Sequence, residues 1–141
     1  MTTHCILKAT QEEAVYIDQQ LGAFNGTQVP FTQAQTPMFL NYVIKDKDVI
    51  VAGINTCLYH WGMLYISELF VEEAFRGKRL GIQLLDYVEQ EAISLGGLLS
   101  HCDTFDFQAK DFYLKYGYKI FGVLENCPPG HKRYYLSKAI G

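Results

Sequence analysis

A basic, glycine-bearing turn carries the strongest chemical signal: Arg76-Gly77-Lys78-Arg79-Leu80-Gly81, where an apolar strand pattern runs into a helical one. The first turn of a helix leaves N–H groups without intrahelical partners and holds the positive end of the helix dipole, so a phosphate can bind there. Two glycines let an anion approach the backbone. Cations are unfavourable at a helix N-terminus unless an anion compensates them. The pattern therefore predicts phosphate binding; the alternative is a basic helix start.

Two other kinds of site are weakly supported. Ser100-His101-Cys102-Asp103 contains hydrolase residue types, but neighbouring strand residues point to opposite faces and no glycine-flanked nucleophile follows a strand. The four cysteines form no C-x-x-C pair, so we expect reduced thiols and no metal site. The turn at 76–81 matches neither the Walker loop nor the dinucleotide fingerprint, which weakens nucleoside triphosphate and dinucleotide interpretations.

Composition describes one globular domain over residues 1–141. The chain has 12 Lys plus Arg against 15 Asp plus Glu, a net charge of -3, and 49% hydrophobic residues. A slightly acidic chain argues against nucleic acid and anionic membranes as partners. Its apolar runs are shorter than the ~18 residues of a spanning helix, and the first residues lack a secretory signal, so we expect a cytoplasmic protein.

The elements that must position the turn follow from periodicity. We expect a first strand over residues 4–9 and a helix that Thr10 and Glu13 open as a capping box and that ends near Gly22. Glycines and prolines make residues 22–37 irregular. The remaining elements are three antiparallel strands (39–45, 49–58, 64–71), a helix (76–95), a strand (98–105), a short helix (108–116) and two strands (118–124, 133–137). The helix at 76–95 implies a parallel crossover, so the fold class is α/β (α+β), with a mixed, mostly antiparallel sheet flanked by helices.

The turn at 76–81 resembles the acyl-CoA pyrophosphate loop of the GNAT superfamily of N-acetyltransferases, in which Gln or Arg, two residues, Gly, one residue, and Gly or Ala follow one another. Arg79 stands at the family's middle glycine; a residue with helical φ need not be glycine, and an arginine can contact phosphate directly. The order of the predicted elements is similar to that of small bacterial single-domain members of the family. So are five short runs in the second half of the chain: Asp103-Thr104-Phe105, Phe107-Gln108-Ala109, Phe112-Tyr113, Gly117-Tyr118 and Gly130-His131. The family uses its fold for many acceptors, so the resemblance does not identify the amine.

The resemblance implies that acetyl-CoA is the acyl donor and that no metal is needed. It implies that the pantetheine arm lies along Leu69, Phe70 and Val71, where a bulge would leave backbone groups free. Gln108 replaces an Asn that often contacts the cofactor in the family. The implied cofactor-binding set is Leu69, Phe70, Val71, Arg76, Gly77, Lys78, Arg79, Leu80, Gly81, Ile82 and Gln108.

Direct attack by an amine on the thioester requires no nucleophilic side chain. The amine must lose a proton first, which for a lysine-like group costs about 4.6 kcal/mol at pH 7, so an acidic group near the acceptor is expected. Glu68, beside the implied pantetheine strand, is the first candidate for this base, with Asp103 and Asp106 as alternatives. The other interpretation is that Glu68 is a solvated carboxylate on the strand with no catalytic role. Tyr113 occupies the position of a family tyrosine that donates a proton to the departing thiolate, unless it merely packs.

The sequence thus predicts an N-acetyltransferase acting on a small-molecule or peptidyl primary amine. Residues 22–37, the central strand ends and residues 126–131 are expected to hold the acceptor. Two alternatives stay open, a non-catalytic acyl-CoA-binding sensor or regulatory module and a binder of another phosphorylated metabolite. Exposed strand edges also make a homodimer an option.

Overall fold

The computed structural model describes residues 4–141, which divide into a unit that ends at Phe31 and a unit that begins at Thr32. The first unit contains one helix, α1 (Gln11–Gln28). The Thr10 hydroxyl accepts a 3.1 Å bond from the Glu13 N–H, and the Glu13 carboxylate accepts a 2.9 Å bond from the Thr10 N–H. This reciprocal pair confirms the predicted capping box and satisfies two donors at the helix start.

Two expectations for this unit are wrong. Residues 4–9 form no strand, because an alternating pattern provides no partner for the backbone groups that a strand must pair. Helix α1 does not end at Gly22 but continues to Gln28, since isolated glycines cost a helix only about 1 kcal/mol each. Gly26 also leaves room for the Phe31 ring, because a Cβ at this position would lie only 3.3 Å from it.

The second unit is built on a seven-stranded sheet. Its strands are β1 (Met38–Phe39), β2 (Tyr42–Asp46), β3 (Val49–Tyr59), β4 (Met63–Val71), β5 (Leu99–Phe105), β6 (Lys119–Glu125) and β7 (Lys132–Ala139). Their order is β1-β3-β4-β5-β7-β6, and β2 also pairs with β3. All pairings are antiparallel except that of β4 with β5, which confirms the predicted mixed, mostly antiparallel sheet.

The parallel pair is joined by helix α2 (Leu80–Ser94), as the predicted crossover requires. Its apolar stripe, including Leu85 and Val88, packs with Leu64 and Ile66 of β4 in the core. The helix begins at Leu80 and not at Arg76, because positive φ angles at Gly77 and Arg79 interrupt the helical path. A single 3-10 turn (Glu73–Phe75) precedes this break.

A short helix, α3 (Lys110–Lys115), connects β5 to the β6–β7 hairpin. It is shorter at both ends than the pattern predicted, and the left-handed Gly117 follows it. Below it, the Tyr118 hydroxyl donates to Glu89 of α2 at 2.8 Å and contacts the Ser100 hydroxyl at 2.7 Å. Glu89 also accepts a 2.7 Å bond from the Lys138 ammonium, so a buried polar network ties α2, β5 and β7 together.

Strands β4 and β5 separate before they end. Their ladder runs from Met63 opposite Leu99 to Ile66 opposite Cys102, and the last residues of each strand have no ladder between them. The core side of the sheet is filled by buried side chains from α2, β4 and β5. The residues at the end of β4, the turn at 76–79 and the residues that follow β5 line one cleft. This cleft is the candidate site.

Candidate functional site

A cleft of about 780 Å³ lies between the end of β4, the turn before α2, and α3. It brings together ten of the residues that the resemblance implied. They are Leu69, Phe70, Val71, Arg76, Gly77, Arg79, Leu80, Gly81, Ile82 and Gln108. Segments distant in the sequence thus converge on one cavity, although this placement alone does not test what each residue binds.

Three implied residues lie outside the cleft lining: Lys78, Glu68 and Tyr113. The Lys78 ammonium lies 4.9 Å from the centre of the Phe75 ring, on the exposed side of the turn. Glu68 is exposed on β4, and Tyr113 is buried beneath the cleft with 4% of its surface accessible. Neither Glu68 nor Tyr113 is therefore part of the cavity wall.

The turn before α2 is tied to the strand that precedes it. The Arg76 Nε donates a 3.1 Å hydrogen bond to the Val71 carbonyl oxygen, which fixes the turn against the end of β4. Arg79 adopts φ 64° and ψ 20°, so the expectation of a helical φ at this position is wrong. A left-handed conformation is strained for a residue with a Cβ, which is the physical reason that a glycine suits this position.

Gly81 lies at the start of α2, facing α3. A Cβ at this position would lie 3.4 Å from the Phe112 ring, an ordinary van der Waals distance, so the two helices are in contact here. The Phe112 and Tyr116 rings, whose centres lie 5.0 Å apart, both line the cleft. Gly81 lines it as well and presents no side chain to it.

The charged lining of the cleft favours an anion. Four cations line it, Arg76, Arg79, Lys110 and Lys115, against the two carboxylates Asp106 and Asp111. One carboxylate, Asp111, lies 3.7 Å from the Lys110 ammonium. Arginine and lysine side chains beside free N–H groups are the donors that phosphate oxygens accept from.

Sequence reasoning missed most of the α3 side of the cleft. Residues 108, 111, 112, 115 and 116 recur at the three- and four-residue spacing of one helix face, which was the available signal. Gln108 is partly committed to local structure, because its Oε1 accepts a 2.8 Å bond from the Phe105 N–H. Its amide nitrogen is the group left to face a ligand.

A β-bulge interrupts the middle of β4, directly after the last residue that pairs with β5. Asn55 pairs with Glu68 and Thr56 with Ile66, so Ser67 is an extra residue on β4. The Ser67 hydroxyl lies 2.7 Å from Glu68 Oε2 and 3.0 Å from the Asn55 carbonyl oxygen. A bulge leaves its extra residue unpaired in the ladder, and this one places the Glu68 carboxylate at the strand opening.

The two alternative carboxylates are occupied by other partners. The Arg133 guanidinium pairs with Asp103 Oδ1, with Nε at 3.0 Å, and the Tyr65 hydroxyl donates to Oδ2 at 2.8 Å. Asp106 accepts bonds on both oxygens, from His131 and from the Lys132 N–H. Among the ion pairs within residues 4–141, none includes Glu68.

Tyr113 has an environment that keeps its hydroxyl protonated. Burial raises the pKa of Tyr113 well above its usual value, and the nearby Cys102 and Asp103 add to the rise. Its ring contacts those of Phe112 and Tyr118, each at 5.3 Å. A phenol of this kind stays protonated at any ordinary pH, so it donates a hydrogen bond and does not act as a base.

Neither a metal centre nor a membrane span is found in the part of the chain that the structure describes. No group of three or more His, Cys, Asp or Glu side chains there could hold a metal ion. No described helix is both long and apolar enough to cross a bilayer. The four cysteines, Cys5, Cys57, Cys102 and Cys127, are free thiols.

Comparisons with known proteins agree with this geometry. Residues 8–118 match the acetyltransferase (GNAT) family model. Blasticidin-S acetyltransferase of Streptomyces morookaense is 33% identical over 104 residues, 73% of this chain and 76% of that protein. The crystal structure of an acetyltransferase from Bacillus cereus ATCC 14579 superposes with a TM-score of 0.87 at 31% identity, covering 96% of this chain and 97% of the other. An aminoglycoside 6'-N-acetyltransferase complexed with coenzyme A shares the fold, with a TM-score of 0.68 at 21% identity over 97% of this chain and 98% of that one.

Proposed function

This chain belongs to the acetyltransferase (GNAT) family, and on that premise we propose that it moves the acetyl group of acetyl-CoA to a primary amine by direct attack in a ternary complex. Membership makes the protein an acetyl-CoA-dependent N-acetyltransferase. The residues that bind acetyl-CoA, the route of the acetyl group and the acceptor are the proposed part.

The observation that carries the proposal is the convergence of β4, the basic turn and α3 on one cleft. In this proposal the pyrophosphate binds the backbone N–H groups at the start of α2 and the Arg76 and Arg79 side chains, which line the cleft. Leu69, Phe70 and Val71 offer the edge of β4 to the pantetheine arm, since β4 has left its partner β5 there. In this proposal the thioester lies beside the bulge at Ser67, which is two residues before Leu69 of the cleft lining and next to Glu68.

Glu68 is the proposed general base. It is the carboxylate at the strand opening that pairs with no cation, so it can attract an ammonium and accept its proton. The neutral amine attacks the acetyl carbon, the carbon–sulfur bond breaks, and the CoA thiolate leaves. Most of the rate gain comes from holding the two reactants together, because no covalent acyl-enzyme is needed.

Tyr113 is the proposed donor to the departing sulfur. Its raised pKa keeps the phenol protonated through the working pH range. A hydroxyl that donates only when negative charge develops on sulfur stabilises the transition state more than the ground state. Tyr113 lies on α3, and Asp103, near the end of β5, is close enough to contribute to its raised pKa, which supports a place for the phenol near the strand opening.

The acceptor class follows from the relatives. A protein 33% identical to this chain is a blasticidin-S acetyltransferase, and a protein of the same fold acts on aminoglycosides. We therefore place amine-bearing antibiotics first among candidate acceptors, ahead of polyamines and peptidyl lysines. One exposed, unpaired carboxylate suits a single ammonium group at the reaction centre.

The test is the release of free CoA thiol from acetyl-CoA in the presence of a panel of primary amines. An acceptor that supports turnover, lost in the Tyr113→Phe and Glu68→Gln variants while acetyl-CoA still binds, supports the assigned roles. Acetyl-CoA binding without turnover for any amine in a broad panel would count against the proposed acceptor class. Binding that survives the Arg76→Ala and Gly81→Val substitutions together would place the cofactor elsewhere.

A further inference from the structure

Asp106 presents an electrostatic problem in the cleft. It is one of two carboxylates lining a cavity that must take a cofactor with several negative charges. An unpaired carboxylate at a polyanion site opposes binding, because like charges repel most strongly where water is partly excluded. The other carboxylate, Asp111, stands beside the Lys110 ammonium on the same helix.

The β6–β7 turn occupies both oxygens of Asp106. Nδ1 of His131 lies 2.9 Å from Oδ1, and the Lys132 N–H donates to Oδ2 at 2.9 Å. An ionised carboxylate only accepts, so Nδ1 of His131 is the donor. Desolvation of the Asp106 carboxylate raises its pKa, but the hydrogen bonds from Lys132 and His131 outweigh this effect and hold the pKa below its usual value.

The contact extends beyond one side chain. The Asp106 N–H donates to the Lys132 carbonyl oxygen at 2.9 Å, so the backbones of the two loops are joined as well. The next residue, Phe107, lines the cleft and has its ring stacked on Phe105 at 5.3 Å and edge-on to the His131 ring at 5.3 Å. His131 thus contacts two consecutive residues of the cleft wall.

The turn itself fixes His131. Its N–H donates to the Pro128 carbonyl oxygen at 2.8 Å, and its carbonyl oxygen accepts from the Cys127 N–H at 3.0 Å. The backbone that carries the imidazole is therefore held by two hydrogen bonds within the turn. A group that holds another side chain in place must itself be held.

We propose that His131 is a positioning residue for acetyl-CoA binding, which donates a hydrogen bond to the Asp106 carboxylate and sets residues 106–108 as a wall of the cofactor cleft. This rests on the proposed location of acetyl-CoA in that cleft. His131 touches neither cofactor nor acceptor in this role; it acts through Asp106 and Phe107. The resemblance included Gly130-His131 but assigned no role to the imidazole, because its partner lies 25 positions away.

The test compares four variants with the wild type: His131→Ala, His131→Asn, Asp106→Asn, and His131→Ala with Asp106→Asn. We expect His131→Ala to raise the Kd and KM for acetyl-CoA about fivefold, the scale of one hydrogen bond, with kcat changed less than twofold. His131→Asn keeps an N–H donor and should recover most of the affinity. Asp106→Asn should restore the acetyl-CoA affinity that His131→Ala loses, because the carboxylate charge is gone. Added salt should narrow the difference in Kd between the wild type and His131→Ala.

The matched control is Glu125→Gln, which removes a 3.8 Å ion pair with Lys132 from the same hairpin without touching Asp106. It should leave acetyl-CoA affinity unchanged. Equal affinity of the wild type and His131→Ala would overturn this inference, and so would a loss that Asp106→Asn does not rescue. If Arg76→Ala still weakens binding in either case, the proposed cofactor site stands and only the role of His131 fails.

Discussion

The Tyr65 hydroxyl donates a 2.8 Å hydrogen bond to Oδ2 of Asp103 and so links β4 to β5 at the place where their ladder ends. The other oxygen of Asp103 accepts from Arg133 of β7. Burial, followed by the hydrogen bond to Asp103, raises the pKa of Tyr65 to about 12, so the phenol is always a donor at neutral pH. The three side chains together span β4, β5 and β7 at the strand opening.

Arg133→Met should destabilise the fold. The substitution leaves the Asp103 carboxylate with Tyr65 as its side-chain donor, and because the Arg133 side chain is 32% exposed we expect a loss of about 1–2 kcal/mol. Urea denaturation measures it from the shift of the midpoint at constant slope. Lys119→Met, at an exposed position on the neighbouring strand, is the control and should change stability by less than about 0.5 kcal/mol. An equal effect of the two substitutions would contradict the structural role of the ion pair.

Arg79 separates a backbone effect from a side-chain effect. Its φ of 64° is strained with any Cβ, so Arg79→Gly should be more stable than Arg79→Ala by about 1 kcal/mol. Both substitutions remove the guanidinium from the cleft and should weaken acetyl-CoA binding to the same degree. Thermal unfolding without ligand gives the first comparison, and calorimetric titration with acetyl-CoA gives the second. Tighter binding by Arg79→Gly than by the wild type would show that backbone approach outweighs the lost cation.

The sequence predicted the sheet region well because hydrophobic periodicity and turn residues are local signals. It failed at residues 4–9, where a strand needs a partner that the structure does not provide. It also failed at Gly22, because the cost of one glycine is too small to end a helix. In the site, the motif located the basic turn but not the left-handed φ of Arg79 or the α3 wall. The pairing of Asp106 with His131 could not be predicted, since no local pattern records a contact between two loops.

Lys138 supplies the positive charge that compensates the buried carboxylate of Glu89. Glu89 is 6% exposed and accepts bonds from the Lys138 ammonium and the Tyr118 hydroxyl. Lys138→Met should cost about 2 kcal/mol of unfolding free energy, because it leaves a buried charge without its counter-ion. Adding Glu89→Gln should recover part of that loss, which a double-mutant cycle in urea would measure. Additive losses would mean that the two groups stabilise the fold independently.

Glu68→Gln should lower kcat/KM for a good acceptor about a hundredfold at pH 7, the scale of general base catalysis. The loss should shrink as pH rises toward ~10, where a lysine-like amine is neutral without help. A pH profile of kcat/KM for both proteins is the measurement, and acetyl-CoA affinity is the control because Glu68 lies outside the cleft lining. A constant ratio of the two profiles across this range would remove Glu68 as the base.

Tyr113→Phe isolates the hydroxyl, because the ring contacts with Phe112 and Tyr118 are retained. We expect kcat to fall about a hundredfold while the KM for acetyl-CoA changes less than twofold, since the hydrogen bond matters only as charge develops on sulfur. Burial raises the pKa of Tyr113, so its ionisation should produce no fall in the rate on the alkaline side up to pH 10. A donor with a thioester of lower leaving-group pKa should suffer less from the substitution, because its thiolate needs less help to depart. Equal losses for both thioesters would instead mean that the Tyr113 hydroxyl does not assist the departing sulfur.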